Sequence, residues 1–138
     1  MGVTLDPYLN FRGNAREAME FYKGVFGGNL TISTFGEFQA PTEPSEADLV
    51  MHADLEGPEG IRFFAADAPS RMTFTPGTNF SMSLSGESED ELRGYFDKLS
   101  AGGSVTMPLE KAPWGDTFGM LTDRFGTQWL VNITAPKE

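Results

Sequence analysis

Apolar residues along this chain recur at two spacings, and the changes of spacing mark out elements. Ala15, Ala18, Met19, Tyr22 and Phe26 fall three and four apart, which predicts a helix with one apolar stripe. Asn14 precedes it as a cap, Glu17 follows three residues later in a capping-box pattern, and Gly27-Gly28 closes it. Elsewhere the spacing is two. Leu49, Met51, Ala53 and Leu55 share one face of a strand, and Val50, His52 and Asp54 share the other. Continued along the chain, the pattern predicts a strand over 3–11, a helix to residue 25, and strands over 30–38, 48–56 and 61–66. It then predicts a strand over 80–85, a helix over 89–101 capped by Ser88, Gly102-Gly103, and strands over 105–109, 118–122 and 129–134.

The plan is stated twice. Leu9, Phe21, Lys23 and Gly27-Gly28 match Leu84, Phe96, Lys98 and Gly102-Gly103 at one offset, and Leu30-Thr31 matches Val105-Thr106. A second, shorter offset lays Met51-His52-Ala53-Asp54 and Gly57 on Met120-Leu121-Thr122-Asp123 and Gly126. The expectation is an α+β protein of two tandem β-α-β-β-β modules, forming a curled mixed sheet around a cleft with helices on the convex face. The repeat covers 1–67 and 79–138, joined by a loop at 68–78, within a single domain spanning 1–138.

The 138 residues carry 20 acidic and 10 basic side chains, a net charge of -10 that repels nucleic-acid phosphates. No apolar run reaches the ~20 residues of a membrane span, so no membrane partner is expected. The beginning, MGVTLDPYLNF, lacks the basic and apolar regions of a signal peptide, and a cytoplasmic protein is expected. The absence of cysteine removes thiol catalysis and thiolate metal sites.

Three loops interrupt the pattern. Gln39 to Ala47 is proline-rich and acidic, Ala66 to Asn79 carries Met72 and Phe74, and Lys111 to Thr117 carries Trp114. These loop apolar side chains either close on a ligand or pack at a dimer interface or in the core.

By parity, Tyr8, Asn10, His52, Ser81, Ser83, Ser85 and Asn132 face the cleft, while Leu9, Phe11, Phe80, Met82, Leu84, Trp129, Val131 and Ile133 face the other way. A face mixing aromatic, hydroxyl and amide groups suits a small organic molecule. The expected ligand pocket is Tyr8, Asn10, Glu37, His52, Phe63, Asp67, Ser81, Ser83, Trp114, Leu130 and Asn132. His52, the one histidine, is the candidate general base or ligand contact, with Glu37 and Asp67 as its possible partners. The alternative is a structural histidine satisfied by a carboxylate. No Ser-His-Asp arrangement and no carboxylate pair can be singled out.

The segments Pro7-Tyr8-Leu9, Phe11, Gly13-Asn14, Glu17-Ala18, Phe21-Tyr22, Phe35-Gly36-Glu37, Asp123, Phe125-Gly126, Trp129 and Asn132 resemble the PhnB-like branch of the vicinal oxygen chelate superfamily. That superfamily holds glyoxalase I, extradiol dioxygenases and the bleomycin- and fosfomycin-resistance proteins. The resemblance covers essentially the whole chain. It implies the twofold fold above and, for many members, a divalent metal held by one His or Glu from each of four strands. Matching strands puts Asp6, Pro7 or Tyr8, then Ile61 or Phe63, then Ser81, then Leu130 at those places. Such residues do not make a metal site. Related domains also bear a ubiquinone-biosynthesis methyltransferase label, which no glycine-rich strand-to-helix loop supports here.

The expectation is therefore a metal-independent small-molecule-binding protein, without a cofactor, although a divalent metal stays open. The alternatives are an isomerase- or lyase-type enzyme built around His52, or a non-catalytic interaction module. The resemblance also implies a homodimer, some relatives exchanging strands.

Overall fold

A computed structural model describes residues 2–39 and 43–135. The Ala40, Pro41 and Thr42 part of the expected acidic loop lies outside the described residues. Two compact units, residues 1–76 and 77–138, divide the chain. Each is a helix on a four-stranded mixed sheet, so the fold is α+β. Among the described residues no helix is long and apolar enough to cross a membrane.

The first unit runs β1 (Tyr8–Phe11), α1 (Ala15–Phe26), β2 (Asn29–Thr34), a short 3-10 turn (Pro44–Glu46), β3 (Val50–Glu56) and β4 (Arg62–Asp67). Its sheet order is β1-β4-β3-β2, with β1 parallel to β4 and the other pairs antiparallel. Helix α1 buries the stripe read from the sequence, Ala15, Ala18, Met19, Tyr22 and Phe26, together with Val25. It packs on Phe63, Ala65, Ala53 and Leu55 of β4 and β3, which complete the core.

The expected capping box is not formed. Asn14 makes no side-chain cap. The carboxylate of Asp67, at the end of β4, does that work: Oδ1 accepts from the Gly13 and Ala15 amides at 2.8 and 3.0 Å, and Oδ2 accepts from the Val50 amide at 3.0 Å. A carboxylate suits the positive end of a helix, and this one also ties the helix to β3. The strict alternation expected along β3 also breaks. Ser33 pairs with His52 but Thr34 pairs with Val50, so Met51 is an extra residue in a bulge. The bulge turns Val50 into the core, where it is fully buried, and away from the His52 side.

The second unit runs β5 (Met82–Gly86), α2 (Glu89–Ser100), β6 (Ser104–Lys111), β7 (Thr117–Thr122) and β8 (Gln128–Ile133), in the order β5-β8-β7-β6. Here the expected cap is present: Ser88 Oγ accepts from the Glu91 amide. Leu92, Phe96 and Leu99 of α2 pack over Leu121, Trp129, Val131 and Ile133. Asp123 is buried in the β7–β8 turn, taking the Phe125 and Thr127 amides and the Trp129 indole N–H. The aspartate, Phe125-Gly126 and Trp129 of the sequence motif thus make one turn.

The two units repeat each other strand for strand. A Cβ on Gly28 would strike the Glu56 carbonyl, and a Cβ on Gly103 would strike the Thr122 carbonyl. Likewise the Ala68 amide donates to Phe11 and the Thr134 amide donates to Gly86. The first offset read from the sequence therefore holds for β1/β5 and β2/β6. The second needs correction: Glu56 matches Thr122, so Asp54 lies mid-strand while Asp123 lies in a turn. Apolar strand residues look alike after a slip, which is why the sequence match settled a few residues away.

Candidate functional site

In the first unit the helix covers one sheet face, and the other face carries the candidate chemistry. Along β4, Phe63, Ala65 and Asp67 are buried while Arg62, Phe64 and Ala66 alternate with them on the helix-free side. Register places Tyr8 beside Phe64 on one flank and Asp54 on the other. Asn10 pairs with Ala66, and His52 lies on β3 two residues before Asp54.

Three rings meet there. Tyr8 and His52 have centroids 5.8 Å apart, His52 and Phe64 5.4 Å, and Tyr8 and Phe64 6.0 Å. The Tyr8 hydroxyl is 3.2 Å from His52 Nδ1. Partial burial pushes the Tyr8 phenol above its ordinary pKa, because the phenolate would lose hydration. At the rim, Arg62 donates to Asp54 through Nη2 at 2.9 Å and Nε at 3.4 Å, and its guanidinium carbon stands 5.2 Å from the Phe64 centroid. Asp54, and more weakly Glu56 and Asp6, hold the Arg62 guanidinium firmly protonated.

Several expected pocket residues are elsewhere. Phe63 is 3% exposed and stacks edge-on against Tyr22 and Phe26, so it belongs to the core beneath α1. Asp67 lies on the same buried side, occupied by three backbone amides, and is no partner for His52. Glu37 closes a turn: its Oε1 accepts from the Thr34 amide while Thr34 Oγ1 accepts from the Glu37 amide. The partner of His52 is instead Tyr8. Phe64, Arg62 and Asp54 were missed as site residues; the charge of Arg62 two positions before Phe64 was the available signal for the outward parity.

The second unit has its own helix-free face. Ser83 pairs with Leu130 and Ser85 with Asn132 across β5 and β8, and Phe118 of β7 flanks Asn132. Asn132 Nδ2 donates to Asp116 Oδ2 at 3.1 Å, and the Ala135 amide donates to Asp116 Oδ1 at 2.8 Å. These bonds hold the Asp116 carboxyl below its ordinary pKa. Trp114 is 64% exposed and meets Phe118 edge-on at 5.9 Å. Ser81 precedes β5, and the strand position matching Tyr8 is Ser83.

The loop side chains also find places. Arg12 donates to the carbonyls of Pro69 and Met72 and sits over the Phe74 ring at 5.4 Å, strapping the end of the first unit. Met72 and Trp114 remain about half exposed or more.

Comparison with known proteins gives this geometry a family. Residues 4–131 match the model of the Glyoxalase/Bleomycin resistance protein/Dioxygenase superfamily. The chain belongs to that superfamily. It is 36% identical to the crystal structure of protein PA1353 from Pseudomonas aeruginosa, covering 98% of this chain and 100% of the other, with a TM-score of 0.86. A PhnB protein from Bacillus cereus, described as a putative 3-demethylubiquinone-9 3-methyltransferase, is 30% identical over 96% of this chain and 100% of its own, with a TM-score of 0.75. Protein YjdN from Escherichia coli is 29% identical, with 95% of each chain covered.

The metal that the superfamily implies can be tested on the residues present. At the paired strand positions, β1 and β4 offer Tyr8 and Phe64, and β5 and β8 offer Ser83 and Leu130. Two of these have no lone pair to give, and a neutral tyrosine or serine hydroxyl is a weaker donor than a carboxylate or imidazole. Among the described residues no three His, Asp or Glu side chains converge as a metal-holding group. Neither unit's pair offers the carboxylate or imidazole donors that hold a divalent cation.

Proposed function

We propose that this protein binds a small organic molecule through side chains alone, on the helix-free face of the first unit. The observation that carries this reading is the joined Tyr8–His52 pair beside the Phe64 ring. Rings supply contact area, and the hydroxyl and imidazole fix orientation, which is how small-molecule sites are composed. A neutral His52 that accepts from Tyr8 at Nδ1 keeps an N–H at Nε2 for a ligand acceptor.

The same pair supports a second reading, an isomerase- or lyase-type enzyme with His52 as the proton carrier and Tyr8 as its orienting group. The methyltransferase description of the Bacillus relative is not carried over. The β1–α1 junction is Arg12-Gly13-Asn14, and Asp67 already takes the Gly13 and Ala15 amides there.

His52 is the sole histidine, so its ring resonances form a clean reporter. A fragment collection titrated into labelled protein should yield compounds that move the His52 signals, and calorimetry should show their binding lost in Tyr8→Phe and His52→Ala variants that keep their fold. Compounds that bind without touching His52, or equal binding in both variants, would remove the site from this face. Turnover of a bound compound that vanishes in His52→Ala would select the enzyme reading.

Pairing with a second copy is proposed as the cover for Val3, Leu5 and Phe80, apolar side chains left almost wholly exposed. Light scattering should return twice the 15.1 kDa chain mass; a monomer would refute it.

A further inference from the structure

We infer that the ligand of this face is an organic cation, and that Arg62 is a built-in cation with which it competes. The inference rests on the small-molecule reading above and adds the charge of the ligand.

The Arg62 guanidinium already lies in a cation cradle. Its carbon is 5.2 Å from the Phe64 centroid, and Asp54, on the neighbouring strand, takes two of its N–H groups. A ring face with a carboxylate beside it is the composition that recognises guanidinium, amidinium and alkylammonium groups. Register makes the cradle a fixed feature of the sheet, because Asp54 pairs directly with Phe64.

The occupant is displaceable. Arg62 has a side chain 47% exposed, on a long flexible stem at the first residue of β4. A half-exposed ion pair is weak against water and salt. A ligand cation carrying a flat ring would take the Asp54 carboxylate and add contact with Tyr8 and His52, which Arg62 does not provide.

The reverse arrangement, Arg62 as a clamp for an anion, has the charges against it. Asp54 takes two of the five guanidinium N–H groups, and the charges of Glu56 and Asp6 act on it as well. One carboxylate is paired with this cation and two more add negative charge to its field, in a chain of net charge -10. An incoming carboxylate or phosphate would meet repulsion before reaching a free donor.

The test uses three probes of one shape: benzamidine, benzamide and benzoate, cationic, neutral and anionic. Each is titrated into the intact wild-type protein and into Arg62→Gln and Asp54→Asn, following the His52 ring signals. Benzamidine should bind tightest and benzoate weakest in the wild type. Arg62→Gln should tighten benzamidine by roughly fivefold and leave benzamide unchanged. Asp54→Asn should erase the preference for benzamidine over benzamide.

Benzoate binding as tightly as benzamidine, and lost in Arg62→Gln, would overturn the inference and make Arg62 an anion clamp, with the small-molecule site intact. Benzamidine binding equally to wild type and Arg62→Gln would overturn the competition. No His52 response to any probe in any variant would overturn both the cation inference and the reading beneath it.

Discussion

The hydroxyl of Tyr8 and Nδ1 of His52 lie 3.2 Å apart although their strands are not neighbours. In the order β1-β4-β3-β2, the strand β4 lies between them. Neighbouring strands are about 4.8 Å apart, so these side chains span roughly 10 Å and meet above β4. Both side chains are long enough to close that distance with a hydrogen bond. Phe64 stands beside the pair and tilts 31° to the imidazole.

The tautomer of His52 follows from this contact. Nδ1 should be the acceptor and Nε2 should carry the proton, because a phenol hydroxyl is a stronger donor than acceptor and a neutral imidazole nitrogen is a good acceptor. Ring nitrogen shifts from labelled protein at neutral pH should show this one tautomer. Tyr8→Phe should give a mixture of the two. A protonated Nδ1 in the wild type would reverse the roles.

Tyr8 should ionise late. Partial burial raises its pKa above 10.0, since desolvation disfavours the phenolate. The folded state holds this proton more tightly than the unfolded chain. The associated stability is complete below the unfolded value and falls as pH rises through the folded one. Alkaline difference spectra of wild type minus Tyr8→Phe isolate one phenol of the three tyrosines. An absorbance rise centred at or below 10.0 would contradict the desolvated setting.

Asp67 should be worth more to the fold than its position as a strand-end carboxylate suggests. It satisfies the Gly13, Ala15 and Val50 amides, and removing it leaves three donors without that acceptor in a largely buried place. Asp67→Ala should cost about 3 kcal/mol in urea unfolding. Asp67→Asn should cost about half of that, because one amide oxygen still accepts while the NH₂ faces a donor. A loss below 1 kcal/mol in Asp67→Ala would refute the capping role.

These elements show what could be read before any coordinates. Among the described residues, both helices, their glycine stops and the eight strands were legible, because apolar spacing and turn residues are local signals. The helix-free face was only partly legible. Tyr8, Asn10 and His52 were placed on it by alternation, and they share it. Phe63 and Phe64 stand side by side, so alternation alone could not choose between them. Asp67 added to the confusion, since its parity with Phe63 makes a buried side look polar. The Met51 bulge and the amides gathered by Asp67 depend on pairing between distant strands, which no local pattern encodes.

The duplicated architecture makes one stability prediction with an internal control. Gly28 and Gly103 hold matching places where the helix-to-strand connection presses on the next strand, against the Glu56 and Thr122 carbonyls. A methyl at either site must displace backbone, so Gly103→Ala should cost about 2 kcal/mol. Gly28 additionally has φ +93, a conformation that side chains rarely adopt. Gly28→Ala should therefore cost about 1 kcal/mol more than Gly103→Ala. Gly24, on the exposed side of α1 with nothing within 4 Å of an added Cβ, supplies the control. There alanine should stabilise by about 0.5–1 kcal/mol, through better helix propensity. Urea midpoints of the three variants order them directly. Equal losses at Gly28 and Gly103 would mean that the carbonyl contact alone sets the cost. A neutral Gly103→Ala would show that the β7 end yields, and that the two halves are not matched in rigidity at this junction.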